Sequence, residues 1–221
     1  MTIHEAIKNR HSVRSFTDTK INSTTISALL AEIELCNSDS GLNIQLIIGE
    51  PSAFSGFIAR YGKFRGVNNY IAFIGKEDAN LDELAGYYGE RIVLKAQQLG
   101  LNTCWVASSF RRGKCTAEIR KEEKLVCVIA LGYGTTQGIP HKNKPIEHLY
   151  KTDVATPEWF HKGMDAVILA PTALNRQNFF FTLSEGAVAV KVKSGAYSEI
   201  DLGIVKYHFE VGAGKENFSW A

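Results

Sequence analysis

Arg10, Ser12 and Arg14 stand at alternate positions of the segment RHSVR. In an extended chain alternate side chains point the same way. Two guanidinium groups and a hydroxyl would then converge on one small region. Guanidinium groups are planar and offer paired donors that match phosphate, and Ser12 adds a neutral donor. A second polar group lies in APTALNRQN, where Thr172, Asn175, Gln177 and Asn178 bring hydroxyl and amide groups to a helix end. Amides both donate and accept, which suits the edge of a heterocycle. In the stretch Leu99–Ser109, the small residues Ala107 and Ser108 follow Trp105 and Val106, so a flat ligand could approach the backbone there. In HKNKP, Lys142 and Lys144 could add charge to a phosphate. Taken singly, each segment also reads as ordinary structure: a solvated arginine pair, a polar helix end, a helix-to-strand connection and a short basic run.

The elements that must position these residues alternate between helical and extended patterns. Thr2–Lys8 reads as a short helix, with Thr2 as N-cap and Glu5 three residues on. Arg10–Phe16 reads as extended. A helix is expected from Ser23 or Thr24 to about Leu35, and strands over Asn43–Gly49 and Tyr70–Gly75. Leu81, Ala85, Tyr88, Ile92, Ala96 and Leu99 recur at steps of three and four, which predicts a helix closed by Gly100. Leu125–Leu131 is a strongly apolar strand. Gly132–Lys151, rich in Gly, Pro and Lys, reads as a linker. Beyond it the pattern predicts a helix over Asp165–Leu174, strands over Asn178–Leu183 and Ala187–Lys193, and a helix over Asp201–Val211 with Ile204, His208 and Val211 on one face. Interleaved strands and helices of this kind define an α+β or α/β class.

Apolar residues make up 45% of the 221 and charged residues 22%, with a net charge of +2. That balance supports a packed core and excludes disorder as the default state. It also argues against a dedicated nucleic-acid binder. No apolar run approaches the ~20 residues of a membrane span, and the polar N-terminus lacks the pattern of a secretory signal. Cys36, Cys104, Cys115 and Cys127 form no C-x-x-C pair and stand beside no His cluster, so no metal site is expected. They read as free thiols in a reducing cytoplasm. The near-fingerprint GYGTTQG has the wrong spacing for a dinucleotide loop, and Pro140 follows where a helix should open.

Together the four polar segments resemble the nitroreductase family of FMN oxidoreductases. Its R-x-S-x-R element matches Arg10, Ser12 and Arg14, and its proline–serine–x–x–asparagine element matches Pro171–Asn175, with Thr172 for serine. Its G-L-G-x-x-W segment matches Gly100–Trp105, and its late basic residues match Lys142 and Lys144 after Leu131-Gly132-Tyr133. Two departures stand out. The place after the first long helix, Glu34–Asn43, lacks the family's proline, and Ala107-Ser108 stands where glycine is usual.

The resemblance implies an α+β fold, a three-layer α-β-α sandwich on a mixed, mainly antiparallel sheet, formed by one domain over residues 1–221. It implies that Arg10 and Ser12, helped by Lys142 and Lys144, hold the FMN phosphate, and that Arg14 sits at the pyrimidine edge of the flavin. Pro171, Thr172, Asn175 and Gln177 would contact the ribityl chain or ring, and Ala107 and Ser108 would approach flavin N5. NAD(P)H and a small acceptor (nitroaromatic, quinone or flavin) would react in turn, with no acid–base residue named on the protein. A flavin-binding protein without turnover is the alternative. The second half reads as a truncated internal repeat, with pseudo-halves 1–140 and 152–221. A monomer mimicking a dimer, or a homodimer, is expected, in the cytoplasm and without nucleic acid or membrane.

Overall fold

The computed structural model of the chain describes residues 1–185 and 187–221. Its elements run α1 (Ile3–Asn9), α2 (Ser23–Ser40), β1 (Gln45–Ile47), α3 (Phe57–Tyr61), β2 (Asn69–Lys76), α4 (Leu81–Gln98), β3 (Asn102–Val106), β4 (Glu123–Gly132), β5 (Tyr150–Thr152), α5 (Glu158–Val167), β6 (Phe179–Ser184), β7 (Ala187–Val192), α6 (Ser198–Ala213) and β8 (Ser219–Trp220). The class is α+β. The strands form two four-stranded sheets, and the chain divides into two compact units, each with one of them.

The first unit comprises Asn9–Leu81 and Ile92–Pro140. Its sheet has the order β1-β2-β4-β3, antiparallel at every pairing. β4 is central and apolar on both faces, which explains why LVCVIAL carries no polar alternation. An aromatic cluster fills the core: Phe54 lies 5.3 Å from Phe64, 6.0 Å from Tyr70 and 6.3 Å from Phe110, centroid to centroid. Asn22 caps α2, its side chain accepting from the Thr25 N–H at 2.8 Å. The helix runs on to Ser40 and stops at Gly41, whose φ of 72° suits glycine.

The second unit comprises Met1–Lys8, Asp82–Arg91 and His141–Ala221. Thr2 and Glu5 form the expected capping box, each accepting from the other's backbone N–H. The sheet order is β5-β6-β7-β8, with antiparallel pairing only between β6 and β7. Phe181 stacks on Phe209 at 5.0 Å, and Phe209 packs against Trp220 at 5.7 Å. On α6, Gly203 meets the backbone of α4, its ideal Cβ only 2.0 Å from the Glu83 carbonyl oxygen.

Two expectations are corrected here. The helix read over Asp165–Leu174 is α5, Glu158–Val167. Pro171 lacks an N–H and disfavours helical backbone at Ala170, so no helix can run through it; Pro157 instead precedes the first turn. The linker read as ending at Lys151 ends sooner, because Tyr150–Thr152 is β5, paired parallel with β6. Among the described residues no helix is long and apolar enough to cross a membrane.

Candidate functional site

In the first unit the chain from Arg10 to Phe16 is extended and tied on both sides. The Val13 N–H donates to the Thr103 carbonyl at 2.9 Å, and Arg65 donates its N–H to the Arg14 carbonyl and accepts from the Phe16 N–H, both at 2.9 Å. The alternation expected from sequence holds over its first part, with Val13 buried while Ser12 and Arg14 face solvent. Arg10 differs from them, at only 3% exposed. All three polar residues nonetheless act on one group, the buried thiol of Cys104 in β3. Burial pushes that thiol up, and the Arg14 charge, the Arg10 charge and the Ser12 hydroxyl act in the opposite sense. Both charges acting there are cationic. The Arg14 guanidinium also lies 6.0 Å from the centre of the Phe64 ring.

The turn after β4 packs against this segment. A Cβ at Gly138, whose φ is +76°, would stand 2.7 Å from His11 Cβ; one at Gly134 would stand 2.8 Å from Val13 Cγ1. Only glycine allows that approach. Asn102 fixes the same turn, accepting from the Gly134 N–H and donating to Gln137, both at 2.9 Å. Ala107 and Ser108 lead directly out of β3, Ser108 exposed and Ala107 half-buried. Arg112 donates to the Ala107 carbonyl at 3.3 Å and to the Val126 carbonyl at 2.6 Å, which anchors the turn.

In the second unit Gln177 is the hub of a closed web. Its side-chain oxygen accepts from the Lys144 N–H at 2.9 Å, and its amide nitrogen donates to the Lys142 carbonyl at 2.8 Å and to Asn175 Oδ1 at 2.9 Å. Its backbone N–H donates to Thr172 Oγ1 at 3.0 Å, and its carbonyl accepts from Lys144 Nζ at 3.0 Å. Asn175 donates to the same Lys142 carbonyl at 2.8 Å. The structure therefore brings Lys142, Lys144, Thr172, Asn175 and Gln177 together, whereas the sequence reading set the two lysines with Arg10 and Ser12. It also shows what Gln177 does there: it is 2% exposed and its amide is fully used within the loop. Leu174, Asn175 and Gln177 have φ of 53°, 54° and 46°, a left-handed backbone that costs about 1 kcal/mol or more per residue and needs such a web to persist. Pro171 is buried beneath the loop's start.

Asp201, in the first turn of α6, holds the other side of this loop by accepting from the Ala173 N–H at 2.8 Å. Burial pushes its carboxyl up to about 6, against the lowering effects of that bond and of Arg176. Its folded value lies above its unfolded value of 3.8. The folded chain therefore takes up this proton first as pH falls, and stability from that source grows from pH 6 down to 4 and is lost as pH rises through 6. Asp201→Asn keeps the oxygen acceptor without the charge. It is expected to be up to about 2–3 kcal/mol more stable than wild type at pH 7, with the advantage fading toward pH 4. Urea midpoints of both chains across that range check the slope; parallel curves would remove Asp201 as the source.

A group of residues that sequence reading passed over lies on the outer face of β6 and β7. Period two places Lys191 of β7 and Lys193, one residue past its end, on the same side, and Phe180 pairs directly with Lys191 across the strands. Together with Lys144 and His148 they line a concavity of about 440 Å³. The alternating lysines of KVKS were the available signal.

Residues 2–213 match the family described as "Putative TM nitroreductase". The chain belongs to that nitroreductase family. Its fold is similar to that of a putative nitroreductase from Thermotoga maritima, at 24% identity and a TM-score of 0.64, covering 98% of this chain and 85% of that one. It is also similar to a nitroreductase from Bacillus subtilis (13% identity, TM-score 0.56, 69% and 74% covered). A third similar structure is a putative nitroreductase from Desulfovibrio desulfuricans, in complex with FMN (17% identity, TM-score 0.52, 67% and 95% covered). No curated protein matches the sequence.

Proposed function

We propose that the protein is an FMN-dependent oxidoreductase that takes electrons from a reduced nicotinamide nucleotide and passes them to a small organic acceptor, such as a nitroaromatic, a quinone or a free flavin. Family membership supports the reaction class. The observation that carries the cofactor is the extended segment bearing Arg10, Ser12 and Arg14, bridged to β3 at Thr103, with all three residues acting on the Cys104 thiol. Two guanidinium groups and a hydroxyl offer the paired and single donors that suit a phosphate monoester.

Bound FMN would supply the hydride and electron chemistry. The chain's own residues bind and orient. Ser12 is the exposed neutral donor to the phosphate, and Arg10, withdrawn from solvent, is a charge that water screens weakly. Arg14, exposed and held over Phe64, serves the electron-rich edge of the ring, where a cation stabilises developing negative charge. Ala107 and Ser108 present small side chains and backbone to the flat ligand. Donor and acceptor take turns at one open face, which gives ping-pong kinetics.

Arg10→Ala removes a charge-assisted contact worth about 1.5–3 kcal/mol. The expected result is a Kd for FMN raised by about one to two decades, read from fluorescence quenching in a titration of the flavin-free chain. Because Arg10 is buried, Ser12→Ala serves as a surface companion, with an expected loss of about threefold to tenfold. FMN affinity unchanged in both variants would remove this segment from the site. Anaerobic bleaching of the bound flavin by NADH or NADPH tests the donor.

A further inference from the structure

The concavity on the outer face of β6 and β7 lies apart in sequence from the Arg10–Arg14 segment, and its chemistry is distinctive. Lys144, Lys191, Lys193 and His148 line it, with no carboxylate among the lining residues. Its volume of about 440 Å³ is in the range of small-molecule sites. Its floor carries an aromatic ring where sheet patterning leaves one uncovered. Phe179, Phe181 and Leu183 turn into the core, while Phe180 on the opposite face is 39% exposed. Period two sets Phe180 of β6 on the side of Asn178, just before the strand, and Lys191 of β7 on the side of Lys193, just after it, and the Phe180–Lys191 register puts ring and cation side by side. The Lys193 N–H donates to the Asn178 carbonyl at 2.8 Å, which carries the strand pairing to the end of the pocket. Lys144 is placed there rather than free to swing, its Nζ donating to the Gln177 carbonyl at 3.0 Å and to Asn178 Oδ1 at 3.4 Å.

We propose that this pocket binds the adenosine end of a nucleotide carrying a phosphate monoester, the base stacking on Phe180 and the phosphate meeting Lys191 and Lys193. A flat ring with cations at its margin suits a base with an attached dianion: the ring face takes the base and ammonium groups take the phosphate. Under the function proposed above, on which this identification of the source rests, the monoester is the 2′-phosphate that distinguishes NADPH from NADH. The pocket then makes the chain selective for the phosphorylated donor.

The test is calorimetric titration of the purified full-length chain with 2′,5′-ADP, inorganic phosphate, NADH and FMN. The expected result is that 2′,5′-ADP binds more tightly than inorganic phosphate or NADH. Lys191→Ala with Lys193→Ala is expected to weaken it by about tenfold or more, and Phe180→Ala to weaken 2′,5′-ADP without changing inorganic phosphate. All three side chains are exposed, so the variants should fold. Binding of 2′,5′-ADP no tighter than phosphate, or unchanged in the double variant, overturns the proposal. Displacement of 2′,5′-ADP by FMN would assign the pocket to the cofactor and overturn it as well. None of these readouts needs a working flavin site. A chain that binds 2′,5′-ADP here but takes up no FMN would lose the oxidoreductase reading and keep this pocket.

Discussion

The His208→Leu chain is expected to be about 3–5 kcal/mol less stable than wild type, read as a fall in the urea midpoint at unchanged slope. His208 on α6 and Glu90 on α4 are both fully buried, with Nε2 2.9 Å from the carboxyl oxygen. His208 Nδ1 lies 2.8 Å from the Ala166 carbonyl. A carbonyl only accepts, so Nδ1 carries a hydrogen. The contact with Glu90 then holds one further proton, either as imidazolium with carboxylate or as imidazole with carboxylic acid. Leucine removes the imidazole and sets an apolar side chain against this carboxyl oxygen, which is the costly way to break such a pair. Glu90→Gln is different. Its amide can donate to the bare Nε2, so it should stay within about 1 kcal/mol of wild type. Equal midpoints for wild type and His208→Leu would show that the pair contributes nothing.

Gly203→Ala sets two effects against each other. Alanine in a helix interior gains up to about 1 kcal/mol in propensity. Packing opposes it, since the new Cβ would stand 2.0 Å from the Glu83 carbonyl oxygen and 2.5 Å from the Tyr87 nitrogen. The same crossing is equally close from the α4 side, where a Cβ at Gly86 would meet the Ile200 carbonyl at 2.1 Å. These obstacles are backbone atoms in helices and cannot rotate aside, so the clash dominates. A net loss of about 2 kcal/mol or more is expected. Gly113→Ala, with nothing within 4 Å of the new atom, should change stability by less than about 0.5 kcal/mol. If both substitutions behave alike, the close crossing of α4 and α6 is not there.

These two sites also show where sequence reading stops. Strands β2 and β4 and the helix α4 were legible because apolar runs and three-four spacing follow directly from one-sided or two-sided burial. The last helix was legible as a helix but not as to its faces. Ile204 and His208 are buried as expected, yet so are Ile200, Val205 and Phe209, because α6 packs on more than one side. A single-face pattern cannot describe it, and Gly203 looked like a weak point rather than a contact. β3 was read only as part of a connection: Thr103, Trp105 and Val106 favour strands, but five residues are a short run and the pairing partner β4 lies about twenty residues away. At the candidate site, residue types and spacing pointed to Arg10, Ser12 and Arg14 together, and all three act on the Cys104 thiol. The burial of Arg10 was not legible, because exposure depends on what covers a residue from elsewhere in the chain. The saturation of Gln177 was hidden for the same reason: amide-rich loops look alike whether their groups point outward or inward.

The segment from Arg10 to Phe16 has a second consequence, concerning aggregation. The sheet of the first unit has two border strands. β1 is only three residues long, too short to template another chain. β3 is longer and apolar, the kind of border that recruits a neighbouring molecule edge to edge. Its outer side is occupied by the Ser12–Thr103 bridge and the Val13-to-Thr103 hydrogen bond. The sheet of the second unit is bordered by strands of three and two residues. The stretch that carries the proposed phosphate donors thus also covers the border of β3. Sequence changes that loosen it to alter ligand binding would put colloidal solubility at risk at the same time.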